Sequence, residues 1–161
     1  MPSYTPPLRD MQFVLHEVFH VADEFAAMPK HAETDVDTIN AVIEEAGKFA
    51  AEVTFPLNIS GDEEGCTLDK ATHEVTAPKG FKEAYAQFVA NGWNGLTKRP
   101  EHRGQGLPQH VSTAVEEMWH GANLSFALCP LLTQGAIEAL ELVGNEAERA
   151  HLIGRLTSLS D

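Results

Sequence analysis

Asp35-Val-Asp-Thr-Ile-Asn-Ala-Val-Ile-Glu-Glu-Ala-Gly-Lys-Phe-Ala-Ala-Glu-Val53 is the stretch that decides the fold class. Ile39, Val42, Ile43, Ala46, Phe49, Ala50 and Val53 recur at intervals of three and four, which gathers them on one side of a 3.6-residue helix. Asp35 or Asp37 can cap its first turn, and Pro56 is expected to stop it. The same period continues in both directions. Upstream of it, Leu8, Met11, Leu15, Val18 and Phe19 predict a first helix, continued through Val21, Phe25 and Met28 to Pro29. Downstream, a Ser-Gly-Asp-Glu-Glu-Gly run opens a surface loop over 58–78, within which 67–75 could be extended. Pro78 is placed in the first turn of the next helix, whose apolar face is Phe81, Tyr85, Phe88 and Val89 and whose end is Asn91-Gly92. The glycine- and proline-rich segment 92–108 reads as a second long loop, and such loops are more often functional than idle.

Helix formers resume at Gln109, with Val111, Ala114, Val115, Met118 and Trp119 on one side and Glu116 and Glu117 on the other. The uncharged run from Ala122 to Ile137 reads as buried on more than one face, with Pro130 breaking or kinking it. A helix from Ala136 stops at Gly144, and Asn145 caps a last one over 146–156. The sum is an all-α chain of five or six helices without a convincing strand pair.

Composition narrows the function classes. The 161 residues are 43% apolar, enough for a real core, and their formal charge of −13 opposes binding to nucleic acid or an anionic membrane surface. No basic and apolar leader opens the chain, and no uninterrupted apolar run approaches the roughly 20 residues of a membrane span. Cys66 and Cys129 are too few for a disulfide framework, which places the chain in a reducing cytoplasm; each reads first as a small buried hydrophobe.

Local chemistry yields no complete site. His16 and His20 stand at i, i+4, but the motif is HExxxH, one residue longer than the zinc-hydrolase HExxH, so no metal site is assigned. Glu44-Glu45, Glu63-Glu64 and Glu116-Glu117 are adjacent pairs, and neighbours on a helix point about 100° apart, so they read as solvated faces. There is no Gly-x-Ser-x-Gly, no phosphate-binding GxxxxGK[ST] and no dinucleotide GxGxxG; Gly104-Gln-Gly106 is a fragment of the last.

Five motifs in fixed order carry a resemblance. They are Ala77-Pro-Lys-Gly-Phe-Lys-Glu-Ala-Tyr85; Asn91-Gly-Trp93; Pro100-Glu-His-Arg-Gly-Gln-Gly-Leu-Pro108; Glu116-Glu-Met-Trp119 with Ala122-Asn123; and Gln134-Gly-Ala-Ile-Glu-Ala-Leu140 with Gly144-Asn-Glu146. Over nearly its whole length the chain resembles the N-terminal helical domain of the acyl-CoA dehydrogenases. Its start, Tyr4 with Leu8-Arg-Asp-Met-Gln-Phe-Val-Leu-His-Glu17, and Gly61-Asp-Glu-Glu-Gly-Cys66 are similar to the larger branch that includes 3-methylmercaptopropionyl-CoA dehydrogenases.

The resemblance implies a bundle-like helical domain over 35–161, with an N-terminal helical arm over 1–34. It implies a flavoenzyme that removes hydrogens from the α and β carbons of an acyl-CoA thioester, a glutamate taking the α proton and FAD the hydride. In the family a β domain and a C-terminal helical domain supply most flavin contacts and the base. No catalytic residue is therefore carried over to this chain, which is expected to bind no FAD by itself and to act with those remaining domains. Leu128, Leu131, Leu132 and Gly135 are the implied acyl-pocket wall, against the plain alternative that the leucines are ordinary core. Gly104, Gln105 and Gly106 are the implied cofactor-proximal loop. The alternative function is a naturally short helical module for binding or self-association, and either reading expects homo-oligomers, because an uncovered apolar surface favours association.

Overall fold

The first described element is α1 (Leu8–Gln12), which runs directly into a π turn at Phe13–Val18 closed by Phe19 N–H donating to Val14 O at 3.0 Å. In this computed structural model, which describes residues 3–158, the first helix is not continuous to Met28 as its period predicts. It breaks at His20, whose φ of 49° is left-handed, before α2 (Val21–Ala26). The wider π turn and the break re-aim the chain, so that Met11 and Leu15 on one side of the break and Val21 and Phe25 on the other all reach one core. The helix ends ahead of Pro29, as proline geometry requires.

Asp35 caps α3 (Val36–Phe49), its carboxylate accepting from Thr38 N–H at 2.8 Å. Hydrogen bonding from the Thr38 side chain, and then from its N–H, holds the Asp35 carboxyl below its ordinary range. Pro56 does not stop the chain. A π turn at Ala50–Thr54 leads into α4 (Pro56–Glu64), with Phe55 N–H donating to Ala50 O at 2.9 Å, five residues back. Proline has no amide to spend, and the π turn places it at the first position of a new helical segment, where none is required.

The expected loop over 58–78 is therefore helical as far as Glu64. Tertiary contact explains this: Gly61 lies under the Phe81 ring, where a Cβ would come within 2.5 Å of the ring edge. A two-residue antiparallel pair follows, β1 (Thr67–Leu68) with β2 (Val75–Thr76), Thr67 opposite Thr76. Its turn is held by the Asp69 carboxylate accepting from Ala71 and Thr72 N–H groups at 2.7 and 3.2 Å, which lowers the pKa of that acid.

Helix α5 (Phe81–Ala90) starts three residues after Pro78, whose carbonyl accepts from Phe81 N–H, and ends at Asn91-Gly92 as expected. The second long loop holds only two single-turn 3-10 segments, Trp93–Gly95 and Pro100–His102. Then come α6 (Gln109–Ala122) and α7 (Leu124–Val143). The last stretch is α8 (Glu146–Glu148), a π turn at Arg149–Ile153 and α9 (Gly154–Ser158). Asn145 closes a full capping box with Glu148.

Helix α6 lies between α3 and α7, and the core sits around it: Ile39, Ile43, Val111, Val115 and Met118 are sealed from solvent. At the α5 end the core is aromatic. Phe49, Phe88, Trp93, Trp119 and Phe126 pack with ring centroids 5.3–6.3 Å apart, mostly tilted or edge-to-face, the arrangement that the ring quadrupole favours. The chain is all-α apart from the short hairpin.

Candidate functional site

Helix α7 is positioned from its first residue. Asn123, fully buried, accepts from Phe126 N–H through Oδ1 at 3.0 Å and donates through Nδ2 to Thr54 O at 2.9 Å. Thr54 O lost its helical donor at the π turn, because Asn58 N–H goes to Phe55 O. One side chain thus caps α7 and satisfies the carbonyl freed beside Pro56.

Pro130 neither ends nor splits α7, which is helical from Leu124 to Val143. The buried side of the helix is Phe126, Ala127, Pro130 and Ile137. The other side is apolar and uncovered: Leu128 is 47% exposed, Leu131 41% and Leu132 77%, and Gly135 beside them has open space where a Cβ would stand. The stretch read as buried on more than one face is buried on one, and these leucines are not core. They form a continuous patch at i, i+3, i+4 and i+7, extended by Leu124 and Leu142. By length and composition alone α7, with a mean hydropathy of 1.4, is apolar enough to cross a membrane, yet it carries Glu138 and Glu141 and packs one face on α6.

The glycine loop adjoins the same helix. Gln134 Nε2 donates to Asn94 O at 2.6 Å and Asn94 Oδ1 at 2.9 Å, while Asn94 Nδ2 donates to Leu156 O at 2.7 Å. Lys98, only 4% exposed, sits with its ammonium 3.6 Å from Glu138 Oε1. Loop, α7 and α9 are therefore tied together, and the two regions singled out in the sequence are neighbours.

Inside the loop the amides turn inward. Gly104 N–H donates to Arg99 O, Gln105 N–H to Gly95 O, Gly106 N–H to Lys98 O and Leu107 N–H to Leu96 O, at 2.8–3.0 Å. A Cβ on Gly104 would come within 2.0 Å of Lys98 O, so glycine there serves close backbone packing. No amide of 104–107 is left to cradle a phosphate.

An open groove of about 830 Å³ went unseen in the sequence. It lies between α4, the hairpin, α5 and the start of α7, and its walls include Cys66, Tyr85, Phe81, Lys82 and Cys129. Both cysteines are exposed, which corrects their reading as buried hydrophobes. Nothing in their spacing signals the groove, because Cys66 follows α4 and Cys129 lies on α7. Burial, with a smaller contribution from Cys129, raises the pKa of the Tyr85 phenol.

The His16 and His20 pair does not survive folding as one helical face: His16 Nε2 meets Asn40 Oδ1 at 2.9 Å and His20 is the left-handed break. Among the described residues no group of three or more His, Cys, Asp or Glu side chains could hold a metal ion.

No protein-family model matches the chain. Against curated proteins it is 39% identical over 154 residues to 3-methylmercaptopropionyl-CoA dehydrogenase of Ruegeria pomeroyi, across 96% of the chain and 26% of that protein. It is 28% identical over 123 residues to the broad-specificity linear acyl-CoA dehydrogenase FadE5 of Mycobacterium tuberculosis, across 76% of the chain and 20% of that protein. To butyryl-CoA dehydrogenase of Syntrophomonas wolfei it is 23% identical over 157 residues, across 97% of the chain and 26% of that protein. The chain is thus similar over most of its length to acyl-CoA dehydrogenases, and it spans about a quarter of the length of these curated relatives or less.

Proposed function

We propose that this chain is the N-terminal helical portion, an arm over 1–34 and a bundle over 35–161, of an FAD-dependent acyl-CoA dehydrogenase that works in the cytoplasm as a homo-oligomer. Its part in the α,β-dehydrogenation is to wall the acyl pocket and to form a domain interface. The observation that carries the reading is the uncovered leucine face of α7, Leu128, Leu131 and Leu132 with Gly135, on a chain 39% identical to one such dehydrogenase. An alkyl chain laid on that face loses water on both sides, which stabilises it by about 25 cal/mol per Å² of apolar area buried. Gly135 lets a ligand or helix approach the α7 backbone closely.

FAD, when bound, supplies the hydride acceptor. The glycine loop does not fit the flavin's pyrophosphate, because its amides are spent within the loop. Its place in the reading is to hold Gln134 and Glu138, and through them the angle of α7. The remaining dehydrogenase domains supply the flavin contacts and the base.

The test uses the complete protein that contains this chain. It is expected to be yellow and to reduce an electron-accepting dye when given acyl-CoA, and Leu132→Asp is expected to raise the KM for acyl-CoA and lower kcat while the flavin absorbance stays. A colourless protein without acyl-CoA oxidation overturns the reading and leaves a self-associating helical module. Full activity with Leu132→Asp overturns the pocket wall alone.

A further inference from the structure

Behind Leu131, between α6 and α7, lies a cavity of about 20 Å³, bounded by Phe88, Trp119, Ala127 and Pro130 and by the polar residues Glu116, His120 and Gln134. By the same measure a water molecule needs about 10–15 Å³ together with two to four polar partners. We propose that this cavity is an internal water site, in which one water accepts from Trp119 Nε1–H and donates to acceptors on Gln134 and on the Glu116–His120 turn of α6.

The argument is a count of donors and acceptors. Trp119 is 5% exposed, and its Nε1–H, a donor only, has no acceptor among the described residues. Leaving such a group bare costs about 1–3 kcal/mol. The rings around it, Phe49, Phe88 and Trp93, offer no oxygen or nitrogen lone pair. The cavity wall carries acceptor groups. Gln134 spends its Nε2 hydrogens on Asn94 O and Oδ1, which leaves its Oε1 as an acceptor. His120 Nδ1 lies 2.7 Å from Glu116 O and must donate to it, so Nε2 of the neutral ring carries a lone pair. Glu116 takes one hydrogen bond from Ser112 Oγ at 2.9 Å, and its carboxylate has capacity for more. A buried donor without a partner, beside groups with acceptor capacity to spare, is the pattern that a water resolves, since it accepts one bond and donates two.

The water would couple α6 to α7 beside Pro130, where α7 lacks a backbone N–H. This proposal does not depend on the dehydrogenase reading, because it rests on the α6–α7 contact alone. The test is a high-resolution crystal structure of the protein combined with water-to-indole cross-relaxation by NMR. An ordered water within hydrogen-bonding distance of Trp119 Nε1, and a Trp119 indole proton that exchanges magnetisation with a long-lived water, are the expected results. Trp119→Phe keeps the packing and removes the donor, so the same density peak should weaken or vanish. A dry cavity with the indole N–H resting on the Phe88 ring face, reported by an upfield-shifted indole proton, overturns the proposal. The wild-type measurement decides even if the variant does not fold.

Discussion

Helices α3 and α7 are both long and apolar, and they use their apolar residues in opposite ways. Helix α3 puts Ile39, Ile43, Ala46 and Phe49 into the core and turns Glu44, Glu45 and Lys48 to water. Helix α7 is the more apolar, yet only Phe126, Ala127, Pro130 and Ile137 are buried, while its leucines face outward. Apolar content reports burial only when the partner belongs to the same 161 residues. In α3 the partner is α6. In α7 the leucine half has no cover among the described residues, the kind of patch that marks an interface or a ligand wall.

The contrast can be broken by substitution. Ile43→Ala should cost about 2–5 kcal/mol, because α3 sits in a sealed core, and chemical denaturation of the variant checks it. Asn123→Ala comes next: it removes the α7 cap, worth about 1 kcal/mol, and strands the Thr54 carbonyl, for about 1–3 kcal/mol more. If Asn123→Ala unfolds no more easily than wild type, α7 is not anchored as described. Asp35→Ala should have a smaller effect with a definite pH signature. The folded pKa of Asp35 is lowered, so its contribution is present above the unfolded value, near ~3.9, and fades as pH falls through the folded one. Wild type and variant should therefore converge in strong acid. Leu132→Lys should leave unfolding unchanged, since the side chain is 77% exposed, and light scattering should show less self-association. A clear loss of stability there would mean that α7 is covered after all and would erase the comparison.

Which features could be read from the sequence follows from how local their causes are. A cap at Asp35 or Asp37, the Asn91-Gly92 stop and the Asn145 cap were legible because each depends on residues within three or four positions. Pro56 and Pro130 were expected to interrupt helices, and each is accommodated. A π turn precedes Pro56, and Asn123, distant in sequence, satisfies the carbonyl released there. The left-handed break at His20 and the extension of α4 under Phe81 likewise depend on packing that the sequence period does not encode. Of the candidate site, Leu128, Leu131, Leu132 and Gly135 were singled out through the resemblance, and their open face required the fold. The groove with Cys66 and Cys129 was invisible, because the start of α7 closes it against α4, the hairpin and α5, which lie some way back in the sequence.

The Asn123 to Thr54 bond spans 69 residues, and this bears on the order in which the chain folds. Closing so long a loop is entropically costly before the intervening helices dock, so the bond belongs late on the folding route. The local helix of α7 can flicker earlier, but its first turn is fixed only when α3 and its π turn are already in place. The sticky leucine face is then presented by an assembled core and not by a half-folded chain, which limits the time in which it can capture another nascent molecule.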